Sequence, residues 1–408
     1  MKSERSLSNR ARVSLGVLLC LAFVLPASAD TFWQTTAADN NWNNSANWDA
    51  GVPTSATIAQ FTTSNVTSIS HPSDARAKGL VFSGDAGFTI NAGGGVLYVY
   101  DSGITVSGGS VNQVFNGQVR PQATVMSVTN DSTGLLDFNN DMLVHLTSTG
   151  TCDVTFGGSG NIELKSIQRR NTVSEYVNLV KEGTGTLTIQ SGTTTDATAT
   201  GQGRINGTTT ITGGTVKLGH GAALGSGQII LNGGTLETGN FTIANAIDVA
   251  AASTIFRGGY LQGAITGSGT VTRTGAGNSI ILSGDNSGFG GTWIESDWRT
   301  FLSTADSGSA LATWQVNSGK GLGAGVPLAA MLCDERYACF QPGDQGGTYS
   351  GNALTSAVGQ AVLDAVRAPG FLEHVNAMSA KLRGVLEALI PRGLVSSVIM
   401  VVIDAPVG

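Results

Sequence analysis

The chain has 408 residues, 57 of them glycine, with only 12% charged and 6% aromatic. Such a chain is too long and too poor in large apolar side chains for one compact core, and suits an elongated array. A net charge of -6 at pH 7 and a pI near 5.2 give no electrostatic footprint for nucleic acid or for an anionic membrane, so neither partner is expected.

Residues 1–29 read as a secretory signal. Lys2, Arg5, Arg10 and Arg12 form a basic start, Leu15 to Leu25 an apolar run, and Ala27-Ser28-Ala29 a small-residue cleavage site. The apolar run has roughly half the length of a membrane-spanning helix. Cleavage after Ala29, a secreted or cell-surface location, and no membrane span after signal removal are therefore expected. Cys20 lacks the preceding small residues of a lipoprotein signal, and Cys152, Cys333 and Cys339 are too few and too scattered for a disulfide framework.

Residues 30–61 are rich in tryptophan, with Trp33, Trp42 and Trp48 around NNWNNSANWDAGVP. Trp beside Asn can stack on sugars. The same residues can instead plug the end of a β-array, whose first rung otherwise leaves apolar side chains and backbone groups open. From residue 62 to 170 short strands continue, as in GVLYVYDSGITVSGGSVNQVF. His71 and His145 each stand alone, without a second ligand at metal spacing. The Asn130-Asp131 and Asn139-Asn140-Asp141 turns offer oxygens that suit calcium, and are also ordinary turn formers.

The clearest pattern lies between Leu179 and Gly239. GTTTITGGTV (207–216) and GQIILNGGTL (227–236) alternate β-branched with small residues and break at Gly-Gly, which predicts short strands joined by tight turns. Each rung is too short to bury a face alone, so stability has to come from stacking rung on rung. The segments LVKEGTGTLTI, GTTTITGGTVKLG, ALGSGQIILNGGTLETG and LSGDNSGFGGTW resemble the autotransporter-associated β-strand repeats of bacterial surface proteins. That resemblance implies a mainly β fold, a right-handed parallel β-helix over residues 62–318, with cell-surface or carbohydrate contacts. Polysaccharide-cleaving enzymes also use β-helices and need paired carboxylates or a positioned base. Asp153, Glu163, Glu175, Glu182 and Asp285 are scattered, and no local spacing joins them.

At about Gly319 the texture changes. Residues 360–389 show helical periodicity, with Val362, Leu363 and Val366, then Val375, Met378, Leu382, Leu386 and Leu389. Pro369-Gly370 divides two helices, and Val398 to Ile403 reads as a buried strand, so residues 319–408 predict a small α/β segment. The stretch from KGLGAGVP (320–327) through GDQGGTY (343–349) resembles class III pyridoxal-phosphate aminotransferases, most nearly the acetylornithine and succinylornithine enzymes. The resemblance implies that Lys320 forms the Schiff base with pyridoxal phosphate. It also implies that Thr348 contacts the cofactor phosphate across a dimer, and that a dimer is expected only on that reading. This chain departs from the family at Ser350-Gly351-Asn352-Ala353, and β-repeat replaces the family's other cofactor-binding parts. Two readings follow: a structural solenoid with a truncated, inactive tail, or a transaminase acting on acetylornithine and 2-oxoglutarate through Lys320.

Overall fold

The computed structural model describes residues 30–146, 149–170, 175–192, 202–275, 277–297, 299–316 and 353–387. Residues 30–316 wind into a parallel β-solenoid of about eleven turns. One face is a twelve-stranded sheet running from Ser68–His71 to Thr313–Val316, with one strand per turn. A fifteen-stranded sheet forks at the ten-residue strand Leu97–Val106. The first half of that strand pairs with Val119–Pro121 and the second half with Val125–Asn130, so it turns a corner and belongs to two faces. A four-stranded sheet of Thr242–Ile243, Gly259–Leu261, Ile280–Leu282 and Thr300–Leu302 completes the later turns. Among the described residues the strands pair in parallel, except where Gln202–Arg204 returns antiparallel to Ile167–Arg170.

Alternation along each strand decides what points inward. Leu136, Ile162, Leu187, Val216, Leu236 and Ile255 register one above the next and are all buried. A parallel stack of like side chains hides each apolar face under its neighbours, and no rung has to form a core by itself. Aromatic rings stack in the same way: Phe115 over Phe138 at 4.8 Å and 8°, and Phe61 over Phe82 at 4.7 Å and 12°. On the outer face of the twelve-stranded sheet, Asn116 donates to Asn91 at 2.8 Å and Asn139 to Asn116 at 3.0 Å, a ladder that links amides on successive turns.

The glycine-rich breaks are corners where successive turns touch backbone to backbone. A Cβ on Gly185 would lie 2.0 Å from the Gly160 carbonyl oxygen. Gly214, at φ +58, would place its Cβ 2.3 Å from the carbonyl oxygen of Gly185. Only glycine allows both the left-handed conformation and that approach.

At the start of the solenoid Trp33, Trp42 and Trp48 are buried. Trp48 meets Trp33 and Trp42 edge-on at 5.1 and 5.0 Å, and packs on Phe61 at 5.7 Å. The Trp48 indole N–H donates to the Trp42 carbonyl at 2.7 Å and that of Trp33 to the Val66 carbonyl at 3.0 Å. Their faces are thus spent on one another and on the first turns, and none is offered to a sugar.

The aminotransferase-like portion is helical where it is described. α1 spans Ala353–Arg367 and α2 Phe371–Glu387. The break falls at Pro369-Gly370, as the sequence predicts, with Gly370 at φ +88. α1 starts ahead of the periodic apolar positions, because Ala353 to Gly359 is mostly small and helix-compatible while lacking an apolar stripe. Met378 and Leu382 are exposed, and Val375 is half-buried. The strand predicted at Val398 to Ile403 lies outside the described residues.

Candidate functional site

The residues singled out by sequence fall into distinct environments. His71 points into the solenoid, fully buried, and neither ring nitrogen finds a hydrogen-bond partner. Burial holds its pKa below the ordinary histidine value, so it is a neutral core residue. His145 sits on an outer face, where its Nε2 meets a guanidinium nitrogen of Arg170. Burial, and then the charges of Arg170 and Arg120, hold its pKa down. The Asx turns satisfy themselves. Asn130 is buried, donates to the carbonyls of Gly134 and Asn161, and accepts from the backbone and hydroxyl of Ser132. Asp141 faces Lys165 at 3.5 Å and accepts from Ser166. Among the described residues no three His, Cys, Asp or Glu groups converge to hold a metal.

The carboxylates divide. Asp153 accepts from Asn178 at 2.7 Å. Asp285 caps its turn through the backbone and hydroxyl of Ser287, and those bonds hold its pKa low. Glu163 gains a neighbour that sequence spacing did not show: it registers directly against Asp137, on the strand one turn earlier. Burial, then the charge of Glu163, pushes the Asp137 carboxyl above its usual range. Two carboxylates on neighbouring rungs suit acid-base chemistry only within a groove that holds a substrate. Neither lines the cleft of about 330 Å³ formed by His220, Gly221, Ala222, Gly225, Phe241, Thr242, Ala244 and Asn245. In that cleft His220 Nδ1 accepts the Ala222 N–H at 3.0 Å, which leaves its proton on Nε2. Among the described residues no carboxylate lines the cleft beside that imidazole.

Two cationic side chains lie inside the solenoid where sequence reading had counted strand positions only. Lys181 registers between Phe156 and Ile211, is buried, and donates to the Glu182 carbonyl. Burial pulls its pKa down to about 8, against the opposing charge of Glu182. Arg273 registers against Ile255 and Glu295 and is fully buried, with Nη1 3.3 Å from Glu295 Oε1. Its Nε and Nη2 find no hydrogen-bond partner. Both are amphipathic side chains in alternating strands, and alternation is the signal that marks them as inward-facing.

Lys320 and Thr348 lie outside the described residues. The family described as aminotransferase class-III matches residues 315–398. The C-terminal portion is similar to acetylornithine aminotransferases. One from Ralstonia nicotianae is 54% identical over 68 residues, 17% of this chain and 17% of that protein. Acetylornithine aminotransferase 2 of Bordetella parapertussis is 51% identical over 76 residues, 18% and 19% of the two chains. That of Caldanaerobacter subterraneus is 46% identical over 70 residues, 17% and 18%. The chain thus spans less than a fifth of the length of the curated relatives it matches. No solved structure matches it.

Pyridoxal phosphate, the cofactor implied by that family, needs a buried acid for its pyridine nitrogen and an aromatic or apolar sandwich for its ring. In α1 the carboxylate of Asp364 is exposed and accepts from Gln360 at 2.7 Å, and Phe371 at the start of α2 is exposed too. Neither of these two described groups is placed to hold the cofactor, and the residues the resemblance assigns to it, Lys320 and Thr348, lie outside the described residues. The match begins at Gln315, inside the last strand of the solenoid, Thr313–Val316.

Proposed function

We propose that this chain is an exported structural β-solenoid of the autotransporter-associated repeat type, and that its aminotransferase-like tail is catalytically silent. The observation that carries this reading is the continuous inward ladder from Trp42 and Phe61 to Trp293 and Trp314. The ladder gives the solenoid a single repetitive architecture, and among the described residues no three His, Cys, Asp or Glu groups converge to hold a metal. In this reading the tryptophan cluster closes the first rung, residues 1–29 direct export, and the outer faces are the working surface.

A second reading has one observation in its favour. The match spans Lys320 and Thr348 and is similar to acetylornithine aminotransferases, at 54% identity over 68 residues for one of them, and those enzymes' name implies an amino-group transfer from acetylornithine. The test separates the two. Residues 30–408 and the Lys320→Ala variant are each mixed with pyridoxal phosphate, and the visible absorbance of lysine-bound cofactor is recorded after gel filtration. We expect none in either protein. Absorbance present in the parent and lost in the variant would replace the structural reading by the enzymatic one.

A further inference from the structure

One outer face of this acidic protein carries an arginine on every second turn. Arg76 registers against Tyr98, and Tyr98 against Arg120. On the next turn, a little further along the strand direction, the His145 N–H donates to the Pro121 carbonyl. Arg170 lies on the strand after that, where Val144 registers against Arg169. Arg76, Tyr98 and Arg120 therefore stand in one column, whose next two rungs are Leu143 and Gln168, while His145 and Arg170 follow on those same two turns, displaced by two residues along the strands. With rungs about 4.8 Å apart, Arg76 and Arg120 lie roughly 10 Å apart, and Arg170 lies as far again along the axis but shifted sideways by two strand positions.

The row is held in place. The Arg76 and Arg120 guanidinium groups lie 5.6 and 5.8 Å from the Tyr98 ring centroid. Arg120 donates from Nε to Gln118 at 2.8 Å and from Nη1 to the Tyr98 hydroxyl at 3.3 Å, and Arg170 meets His145. Among the described residues Arg76, Arg120 and Arg170 make no ion pair with a carboxylate, although acids outnumber bases in the chain. Asp74, close to Arg76 in the chain, accepts instead from the Val96 N–H at 3.1 Å. Pre-positioned guanidinium groups with unused donors suit oxyanions, which they bind through paired N–H bonds.

We propose that this face binds an acidic polysaccharide that carries one carboxylate or sulfate per disaccharide, laid along the solenoid axis. A pyranose ring is close to one rung in length, so alternate sugars meet alternate turns and each anionic sugar meets an arginine. Nucleic acid fits less well, because single strands are bound largely by stacking bases on open aromatic rings, and the Tyr98 ring is covered by two guanidinium groups. The inference goes beyond the proposed structural role and rests on the geometry of one face, whatever the fate of the tail.

The test uses the full mature chain and end-labelled hyaluronate oligosaccharides, which alternate uronate with neutral sugar, with fluorescence anisotropy as the readout. Binding is expected to weaken with added salt, and Arg120→Gln is expected to lower affinity roughly tenfold, with a smaller loss for Arg76→Gln or Arg170→Gln. Arg257→Gln, which removes a cation paired with Glu237 at 2.9 Å beside the twelve-stranded sheet, is expected to leave affinity unchanged. Unaltered circular dichroism and melting temperature show that each variant is folded. The proposal is overturned by absent binding at low salt, by equal affinity in folded Arg120→Gln, or by equally tight binding of single-stranded DNA.

Discussion

Lys181 stands in a column whose neighbouring rungs are Phe156 and Ile211, and its ammonium group has one backbone carbonyl for company. Its pKa of about 8 in the fold lies below the ordinary 10.5, so the unfolded chain holds the proton more tightly. Stability therefore rises with pH between about 8 and 10.5, and the full cost of the buried charge is present at neutral pH. Lys181→Met removes that cost. Urea unfolding is expected to show it more stable than the parent by roughly 2 kcal/mol at neutral pH, with the gap closing once the unfolded chain also loses the proton. A pH-independent gap would mean that burial of the charge is not what separates the two proteins.

The Arg273–Glu295 pair makes a complementary case. Glu295 accepts from Arg273, from the Asp297 backbone and from the Thr300 hydroxyl, so the carboxylate is well supplied while two guanidinium nitrogens are not. Glu295→Leu leaves a buried cation alone and is expected to destabilise by about 3–5 kcal/mol, whereas Arg273→Met with Glu295→Leu recovers most of that loss. Thermal melts of the two variants check it. Equal destabilisation by the single and the double change would show that packing, and not charge, is what Glu295 supplies.

At the scale of strands and corners, glycine spacing governs. The Cβ of a Gly185→Ala variant would meet the Gly160 carbonyl at 2.0 Å, on a turn with its own neighbours fixed above and below. The expected loss exceeds about 4 kcal/mol, seen as aggregation or a much lower urea midpoint. Gly277→Ala is the control for sequence context: open space surrounds the Cβ there, and only its φ of +88 costs anything. The Gly-Gly corners, the strands flanking them and the two tail helices were legible in the sequence because each depends on residues a few positions apart. Which residues stack was not. Ile255 pairs with Arg273, while Leu187 pairs with Val216 across a much longer stretch of chain. With turn length varying that much, Asp137 and Glu163, or Arg76, Tyr98 and Arg120, become neighbours only when every corner between them is known. The same variation hid Lys181 and Arg273, whose type argues for the surface while their strand parity argues for the interior. Of the candidate site, Lys320 and Thr348 were legible by resemblance alone, and they lie outside the described residues.

At the scale of the whole molecule, the solenoid of residues 30–316 is a one-dimensional stack in which each turn touches only the turns beside it. Its sheets are joined by backbone bonds running along the axis, and the apolar ladder provides no contact that reaches from one end to the other. A pull applied across the two ends of the solenoid then loads the rungs in series. Turns should peel away singly, and each released turn, between the short kind that separates Ile255 from Arg273 and the long kind that separates Leu187 from Val216, should lengthen the chain by roughly 60–100 Å. In an optical trap that gives a sawtooth of unequal teeth, whose order maps onto turn length; one all-or-none rip would show the stack to be mechanically a single body. A filament that yields in small steps dissipates force without losing its remaining turns.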